Sequence, residues 1–162
     1  MNALHQPSSA PRQPSAAAPR RPVDVFLLLH DGPKVLLALR AGTGYADGEW
    51  NLVSGKLETG ETALAGVRRE AAEEVGLRLG EDDLHFTATV HHRNRNGQGR
   101  IGLVFTAAFE PGRHGEPVNA EPHKCAGIEW FPFEELPAET DRYTLACVAA
   151  WRSGERLHLS GW

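Results

Sequence analysis

The chain has 162 residues and a mass of 17.7 kDa, with 41% hydrophobic and 23% charged side chains. This balance is typical of one globular domain, large enough to fold without a disulfide or a structural metal. The net charge of −4 argues against binding to a nucleic-acid polymer, which needs a basic surface. No apolar run approaches the roughly 20 residues that cross a bilayer, and no signal-peptide pattern is seen. Together with only two cysteines, this predicts a cytoplasmic protein without a membrane partner.

The first 22 residues differ in composition from the remainder. They hold five of the eleven prolines, contain no carboxylate and show no apolar periodicity. Such a segment cannot bury enough surface to offset the entropy of ordering it. We therefore predict a disordered tail over residues 1–22 and one folded domain over residues 23–162.

The first half of this domain predicts three strands and a helix. Apolar runs at Val23–His30 and Lys34–Arg40 flank a turn, and a short strand is expected at Trp50–Val53. Thr62 can cap a helix over residues 63–75, which Gly76 would end.

The second half predicts a hairpin and a closing helix. Phe86–His92 and Gly102–Phe109 are expected to pair around a turn at Asn96-Gly97. Further along we expect a strand, one helical turn and a last helix, at Ile128–Phe131, Phe133–Leu136 and Tyr143–Arg152 respectively. In that last helix Leu145, Val148 and Trp151 lie about one turn apart. The sum is a mixed sheet with a long central helix and a C-terminal helix.

The central helix has an unusual acidic edge. Glu70, Glu73 and Glu74 lie on one arc beside the apolar stripe that must face the core. Glu70 and Glu74 repel each other at i,i+4, an arrangement that favours a cation nearby. Carboxylate oxygens suit Mg²⁺ or Mn²⁺. The alternative is a solvated face whose charge is neutralised by Arg68 and Arg69. The apolar stripe consists of Leu64, Val67, Ala71 and Val75.

This stretch resembles the Nudix box. The matching positions are Gly55, Glu61, Arg69, Glu70, Glu73, Glu74, Gly76 and Leu77. The chain departs from the usual box at Ala71, where a branched residue is common, and at Val53-Ser54, which replaces Pro-Gly. The resemblance implies an α/β fold, namely an α/β/α sandwich, and hydrolysis of a nucleoside diphosphate linked to another group.

The resemblance also implies roles for the box residues. Gly55, Glu70, Glu73 and Glu74 would bind Mg²⁺, with Mn²⁺ as a substitute. Glu61 and Arg69 would belong to the catalytic set by ordering the loop and the carboxylates. A metal bridging phosphate oxygens would align a water for attack on phosphorus.

Signatures outside the box separate substrate classes in this family. The proline of the ADP-ribose type and the tyrosine of the dinucleoside polyphosphate type are replaced by Val90-His91-His92 and Arg93-Asn94-Arg95. What remains resembles the MutT type, which converts nucleoside triphosphates to monophosphates and pyrophosphate. Arg40, fifteen residues before Gly55, matches that type's nucleotide-contacting arginine, and Glu121 resembles its additional metal-binding glutamate.

Further residues are candidates for binding the substrate, each with a structural alternative. Trp50 could border the base pocket or belong to the core. Glu139 and Asp141 could accept hydrogen bonds from a base, although Asp141 could equally cap the last helix. Three arginines near the hairpin turn could grip a polyphosphate or be solvated: Arg93, Arg95 and Arg100. Other functions left open are hydrolysis of a nucleotide sugar or a related diphosphate and, from another class, a Nudix-like module that binds nucleotides without hydrolysis.

Overall fold

The computed structural model describes residues 21–162, so the tail predicted over residues 1–22 lies outside it except for its last two residues. The strands are β1 (Val23–Asp31), β2 (Lys34–Arg40), β3 (Trp50–Asn51), β4 (Val53–Lys56), β5 (His85–Arg93), β6 (Gly99–Ala108), β7 (Cys125–Pro132) and β8 (Leu157–Ser160). The helices are α1 (Ala63–Val75), the single turn α2 (Pro111–His114) and α3 (Arg142–Ser153).

The eight strands form one mixed sheet, as predicted. Its main path runs β3-β2-β1-β6-β5-β8, with β4 added against β1 and β7 against β2. The β1–β6 and β5–β8 pairs are parallel, whereas β4 and β7 pair antiparallel with their neighbours. Strand β1 therefore occupies the centre, with β4 and β6 both hydrogen-bonded to it.

Strand β1 is buried on both faces because its side chains alternate between two cores. Val25, Leu27 and Leu29 pack with α1, whereas Phe26 and Leu28 pack with α3. The sheet thus lies between two helices, which gives the α/β/α arrangement expected from the resemblance.

Helix α1 has the predicted ends. The Thr62 hydroxyl accepts a hydrogen bond from the Ala65 N–H at 3.2 Å, and Gly76 ends the helix in the left-handed conformation at φ 70°. Val67, Ala71 and Val75 are buried, so the apolar stripe does face the core. The acidic edge is thereby held next to the sheet.

Several predicted elements differ in detail. The strand expected at Trp50–Val53 is divided at Leu52, whose N–H leaves the ladder to bond a side chain in α3. Residues 133–136 form a non-helical turn, whereas one turn of helix was expected there. Leu145 faces solvent with 42% exposure, whereas Val148 is buried together with Tyr143 and Cys147. Strand β8 and α2 were not predicted from the sequence.

Both cysteines are free thiols inside the domain. Cys147 is fully buried on α3, and Cys125 is nearly so at the start of β7. Cys125 Sγ donates to the Gly127 carbonyl at 3.1 Å.

None of the helices within residues 21–162 is long and apolar enough to span a membrane.

Candidate active site

Gly55 and Glu70 lie in direct contact where β4 meets α1. A Cβ built on Gly55 would overlap the Glu70 carboxylate. Only glycine leaves room for that carboxylate against the strand backbone. The side chain of Glu70 is consequently packed beside the Gly55 backbone and is mostly buried.

Arg69 connects the loop after β4 to the carboxylates of α1. Its Nε and Nη2 donate to the two oxygens of Glu61 at 2.9 and 3.1 Å, and Nη2 also reaches the Lys56 carbonyl at 3.1 Å. Its Nη1 donates to Glu70 Oε1 at 2.7 Å and Glu73 Oε2 at 3.2 Å. This supports the predicted ordering role, because one guanidinium fixes both the loop and the acidic edge.

Glu74 carries the most perturbed carboxylate of the site. Burial raises the pKa of Glu74 to about 8, and the nearby negative charges of Glu70 and Glu121 add to this shift. One Glu74 oxygen accepts from the Ser54 N–H at 3.0 Å, which opposes the shift. Burial likewise raises the pKa of Glu70 despite Arg69. The charges of Glu70 and Glu74 are therefore not fully compensated and would be stabilised by a cation.

Glu121 reaches this cluster from the loop between α2 and β7. The loop is hydrogen-bonded to the end of α1. The Val118 N–H donates to the Val75 carbonyl at 3.0 Å, and the Ala120 N–H donates to the Glu74 carbonyl at 3.1 Å. The Glu121 carboxylate forms an ion pair with Lys124 at 2.6 Å. A residue 47 positions beyond Glu74 thus lines the same cavity, which is compatible with the metal-binding role that the resemblance to the MutT type implies for Glu121.

The donor set fits a hard divalent cation. All candidate ligands are oxygens, the Gly55–Glu70 contact forms a cradle without a Cβ, and negative charge is in excess. Across residues 21–162, however, no three acidic, histidine or cysteine side chains already enclose an ion. Glu70 is paired with Arg69 and Glu121 with Lys124, so these cations would compete with a metal for the carboxylate oxygens.

A cavity of about 880 Å³ opens beside the carboxylates. Its wall includes most of the predicted site, namely Arg40, Gly55, Glu70, Glu73, Glu74, Glu121 and Asp141. Arg40 Nε donates to the Tyr45 carbonyl at 3.2 Å, so this arginine also orders the glycine-rich loop between β2 and β3. The candidate metal ligands and Arg40 thus face one space.

Two predicted substrate contacts do not line this cavity. Trp50 packs edge-to-face on Phe131 with ring centroids 4.7 Å apart, which agrees with its core alternative. The Glu139 side chain is exposed, and within residues 21–162 only its backbone carbonyl accepts a hydrogen bond, from the Trp50 N–H at 3.0 Å.

Asp141 combines both roles considered for it. Its Oδ2 accepts from the Tyr143 and Thr144 N–H groups at 2.9 and 3.2 Å, which caps α3. The same residue lines the cavity, and its Oδ1 has no hydrogen bond within residues 21–162. One oxygen is thereby left for a ligand.

Four cavity residues were missed or undervalued from the sequence: Asp24, Asn51, Arg100 and Tyr143. Arg100 forms an ion pair with Asp24, 76 residues away. The one available signal was Asp24 itself, a charged residue at the start of an otherwise apolar strand. Nothing in the local sequence identified its partner.

The other two hairpin arginines line a neighbouring cavity of about 680 Å³. Arg93 and Arg95 both contribute to its wall, and Arg95 forms an ion pair with Glu49 at 2.7 Å. Tyr45 and Asp141 border both cavities, so the two spaces adjoin.

Comparison with known proteins gives a consistent family signal. The NUDIX domain family model matches residues 18–151. The oxidized purine nucleoside triphosphate hydrolase of Mus musculus is 32% identical over 69% of this chain and 67% of its own length. The mitochondrial NAD(P)H pyrophosphatase NUDT13 of the same organism is 29% identical over 69% of this chain, which spans only 30% of that protein.

Solved structures agree on the fold. A MutT NUDIX hydrolase from Burkholderia pseudomallei superposes with a TM-score of 0.72 at 25% identity, covering 82% of this chain and 98% of the other. The NUDIX domain of Shewanella oneidensis NrtR, crystallised with ADP ribose, gives a TM-score of 0.64 at 20% identity, covering 88% and 93%.

Proposed function

Because the chain belongs to the Nudix hydrolase family, we propose that it hydrolyses nucleoside triphosphates to monophosphates and pyrophosphate. The substrates would include triphosphates with an oxidised purine, which is what the mouse relative's name specifies for that protein. The single observation that carries the proposal is the lining of the 880 Å³ cavity, which includes the acidic candidate metal ligands and Asp141, one of whose oxygens has no hydrogen bond within the described residues.

The acidic part of the cavity would hold Mg²⁺ or Mn²⁺. Glu70, Glu73, Glu74 and Glu121 would supply carboxylate oxygens, and Gly55 its carbonyl. When bound, the metal supplies charge neutralisation on phosphate oxygens and a more acidic water for attack on phosphorus.

The chain's own residues prepare this site. Arg69 and Glu61 fix the loop and the direction of the carboxylates, and neither lines the cavity. Arg40 lines the cavity and would bind a phosphate group through charge-assisted hydrogen bonds. Asp141 Oδ1 would accept from N–H groups of the base.

A second candidate reaction is hydrolysis of a larger nucleoside diphosphate derivative, such as a nucleotide sugar or NAD(P)H. The adjoining 680 Å³ cavity, with Arg93 and Arg142 in its wall, favours this possibility because it offers room for a second group. The resemblance to an NAD(P)H pyrophosphatase gives it further support.

A nucleotide panel decides between these reactions. The full chain would be incubated with Mg²⁺ and either purine and pyrimidine triphosphates, oxidised purine triphosphates, NADH or nucleotide sugars, and both products would be quantified by chromatography. We expect monophosphate and pyrophosphate in equal amounts from triphosphates, with the highest kcat/KM. Faster cleavage of NADH or a nucleotide sugar would select the second candidate.

A further inference from the structure

A buried ion pair forms part of the wall of the 880 Å³ cavity. Arg100 Nε donates to Asp24 Oδ2 at 2.7 Å, and Arg100 Nη2 binds Asp24 Oδ1. Asp24 is only 4% exposed. This side-on arrangement uses two of the three guanidinium nitrogens, and Nη1 has no hydrogen-bond partner within residues 21–162. Asp24 thus fixes the direction of a guanidinium that still has donors to offer.

A buried ion pair of this kind is weak evidence for a role in stability. Asp24 lies on the face of β1 that also carries Phe26 and Leu28, both in the apolar core against α3. Replacing a buried ion pair by apolar side chains is commonly neutral or stabilising, because two charges no longer have to leave water. A charged pair in the wall of a substrate cavity is therefore better explained by what it binds.

Tyr143 lies beside the pair and has an unused hydroxyl. Its oxygen is buried without a hydrogen-bond partner, and the side chain lines the same cavity. Its ring stacks on His92 with centroids 4.4 Å apart, and His92 is the direct cross-strand neighbour of Arg100. Tyr143 also follows Asp141 by two residues. Arg100, Tyr143 and Asp141 are thereby brought to one region of the cavity.

We propose that Arg100, positioned by Asp24, donates a hydrogen bond to a carbonyl on the substrate's base while Asp141 accepts one from the adjacent N–H. This proposal rests on the proposed function. Arg100 Nη1 can only donate, and the free Asp141 oxygen, as a carboxylate, only accepts. A base edge with C=O next to N–H satisfies both, as in guanine, uracil and thymine. Adenine and cytosine present the reverse pattern, a ring nitrogen acceptor beside an amino donor, which leaves both protein groups unpaired. The Tyr143 hydroxyl can donate or accept and would strengthen either contact.

The test compares keto and amino bases of equal ring size. For the full chain with Mg²⁺, kcat/KM would be measured for GTP against ATP and for UTP against CTP. We expect the keto base to be favoured about tenfold or more in both pairs. Arg100→Met should reduce both ratios by about tenfold, through loss of activity on the keto substrates. Arg78→Met, at an exposed position outside both cavities, should leave both ratios unchanged.

A second variant controls for the possibility that Arg100→Met does not fold. Arg100→Met alone leaves Asp24 buried without its partner, so Asp24→Leu/Arg100→Met removes both charges together. Unchanged ratios in a folded double variant would overturn the proposal. So would an equal loss on all four nucleotides, which is the result expected if Arg100 binds phosphate.

Failure of the proposed reaction is recognised separately. If the natural chain hydrolyses none of the four triphosphates, binding of GMP and AMP would be compared by equilibrium dialysis. Tighter binding of GMP that Arg100→Met abolishes would support base reading without that reaction, whereas equal binding of GMP and AMP would refute it.

Discussion

The backbone N–H of Leu52 donates a hydrogen bond to the Thr144 hydroxyl at 3.0 Å, although 92 residues separate them. Leu52 is three residues before Gly55, and Thr144 lies in the first turn of α3, three residues after Asp141. Both residues are buried. This bond joins the acidic part of the cavity to the part that holds Asp141, so both belong to one rigid frame.

Removing the charge of Glu74 tests the metal site. We expect Glu74→Gln to lower kcat by at least about 10²-fold, because a proposed metal ligand is lost. Chelation with EDTA should abolish turnover of the natural chain. Glu58→Gln, on the exposed loop before α1, should behave like the natural chain.

Thermal melting gives a readout of the same site without catalysis. Mg²⁺ should raise the melting temperature of the natural chain and of Glu58→Gln, and much less that of Glu74→Gln. Undiminished turnover in EDTA would exclude a metal-dependent reaction.

The Gly55–Glu70 contact predicts that adding one methyl group at position 55 strongly affects activity and stability. Gly55→Ala would push the Glu70 carboxylate off the strand, so we expect kcat to fall by at least about tenfold and the melting temperature to drop. Gly127→Ala is the matched control, because a Cβ there meets no atom within 4 Å. If the two variants melt and react alike, the close approach of Gly55 and Glu70 has no role.

Arg69 is expected to act by positioning. Arg69→Met leaves Glu61 and Glu70 without their cation, so the melting temperature should fall by several degrees and kcat by about tenfold or more, with KM little changed. Arg78→Met, at an exposed position just after α1, is the control. A rise in KM at constant kcat would instead indicate that Arg69 binds substrate.

The local features of this site were predictable, and the distant pairings were not. The spacing of Glu70, Glu73 and Glu74 along one helix placed them on one arc, since α-helical geometry is fixed by the backbone. The contact of Asp24 with Arg100 depends on β1 and β6 lying side by side, which no short-range pattern encodes. The exposure of Leu145 was not predicted for a related reason, because the sheet beneath α3 decides which of its side chains are buried.

Asp141 and Glu139 form a natural pair for testing base recognition. Asp141→Asn keeps a good helix cap but replaces an acceptor by an amide, so we expect the ratio of kcat/KM between different bases to change about tenfold or more. Glu139→Ala should change neither the ratio nor kcat, since that side chain is exposed and does not line the cavity. An altered base preference in Glu139→Ala with none in Asp141→Asn would reverse the assignment.

We propose that the segment before the domain contributes little to its stability. Deleting residues 1–20 should leave the melting temperature and kcat unchanged. Deleting residues 1–22 should cost slightly more, because the Ile101 N–H donates to the Pro22 carbonyl at 3.2 Å. A drop of several degrees for the shorter deletion would show that the segment packs on the domain.

The two buried thiols can report local opening of the native structure through their reaction with labelling reagents. Burial raises the pKa of both Cys125 and Cys147, and only a thiolate reacts with common labelling reagents. Labelling in the native state therefore has to wait for fluctuations that expose each sulfur. Cys147 would report the detachment of α3 from the sheet, and Cys125 the loosening of the segment that follows Glu121. Adding Mg²⁺ should slow modification of Cys125 more than that of Cys147, which would map where a ligand suppresses motion without any engineered label.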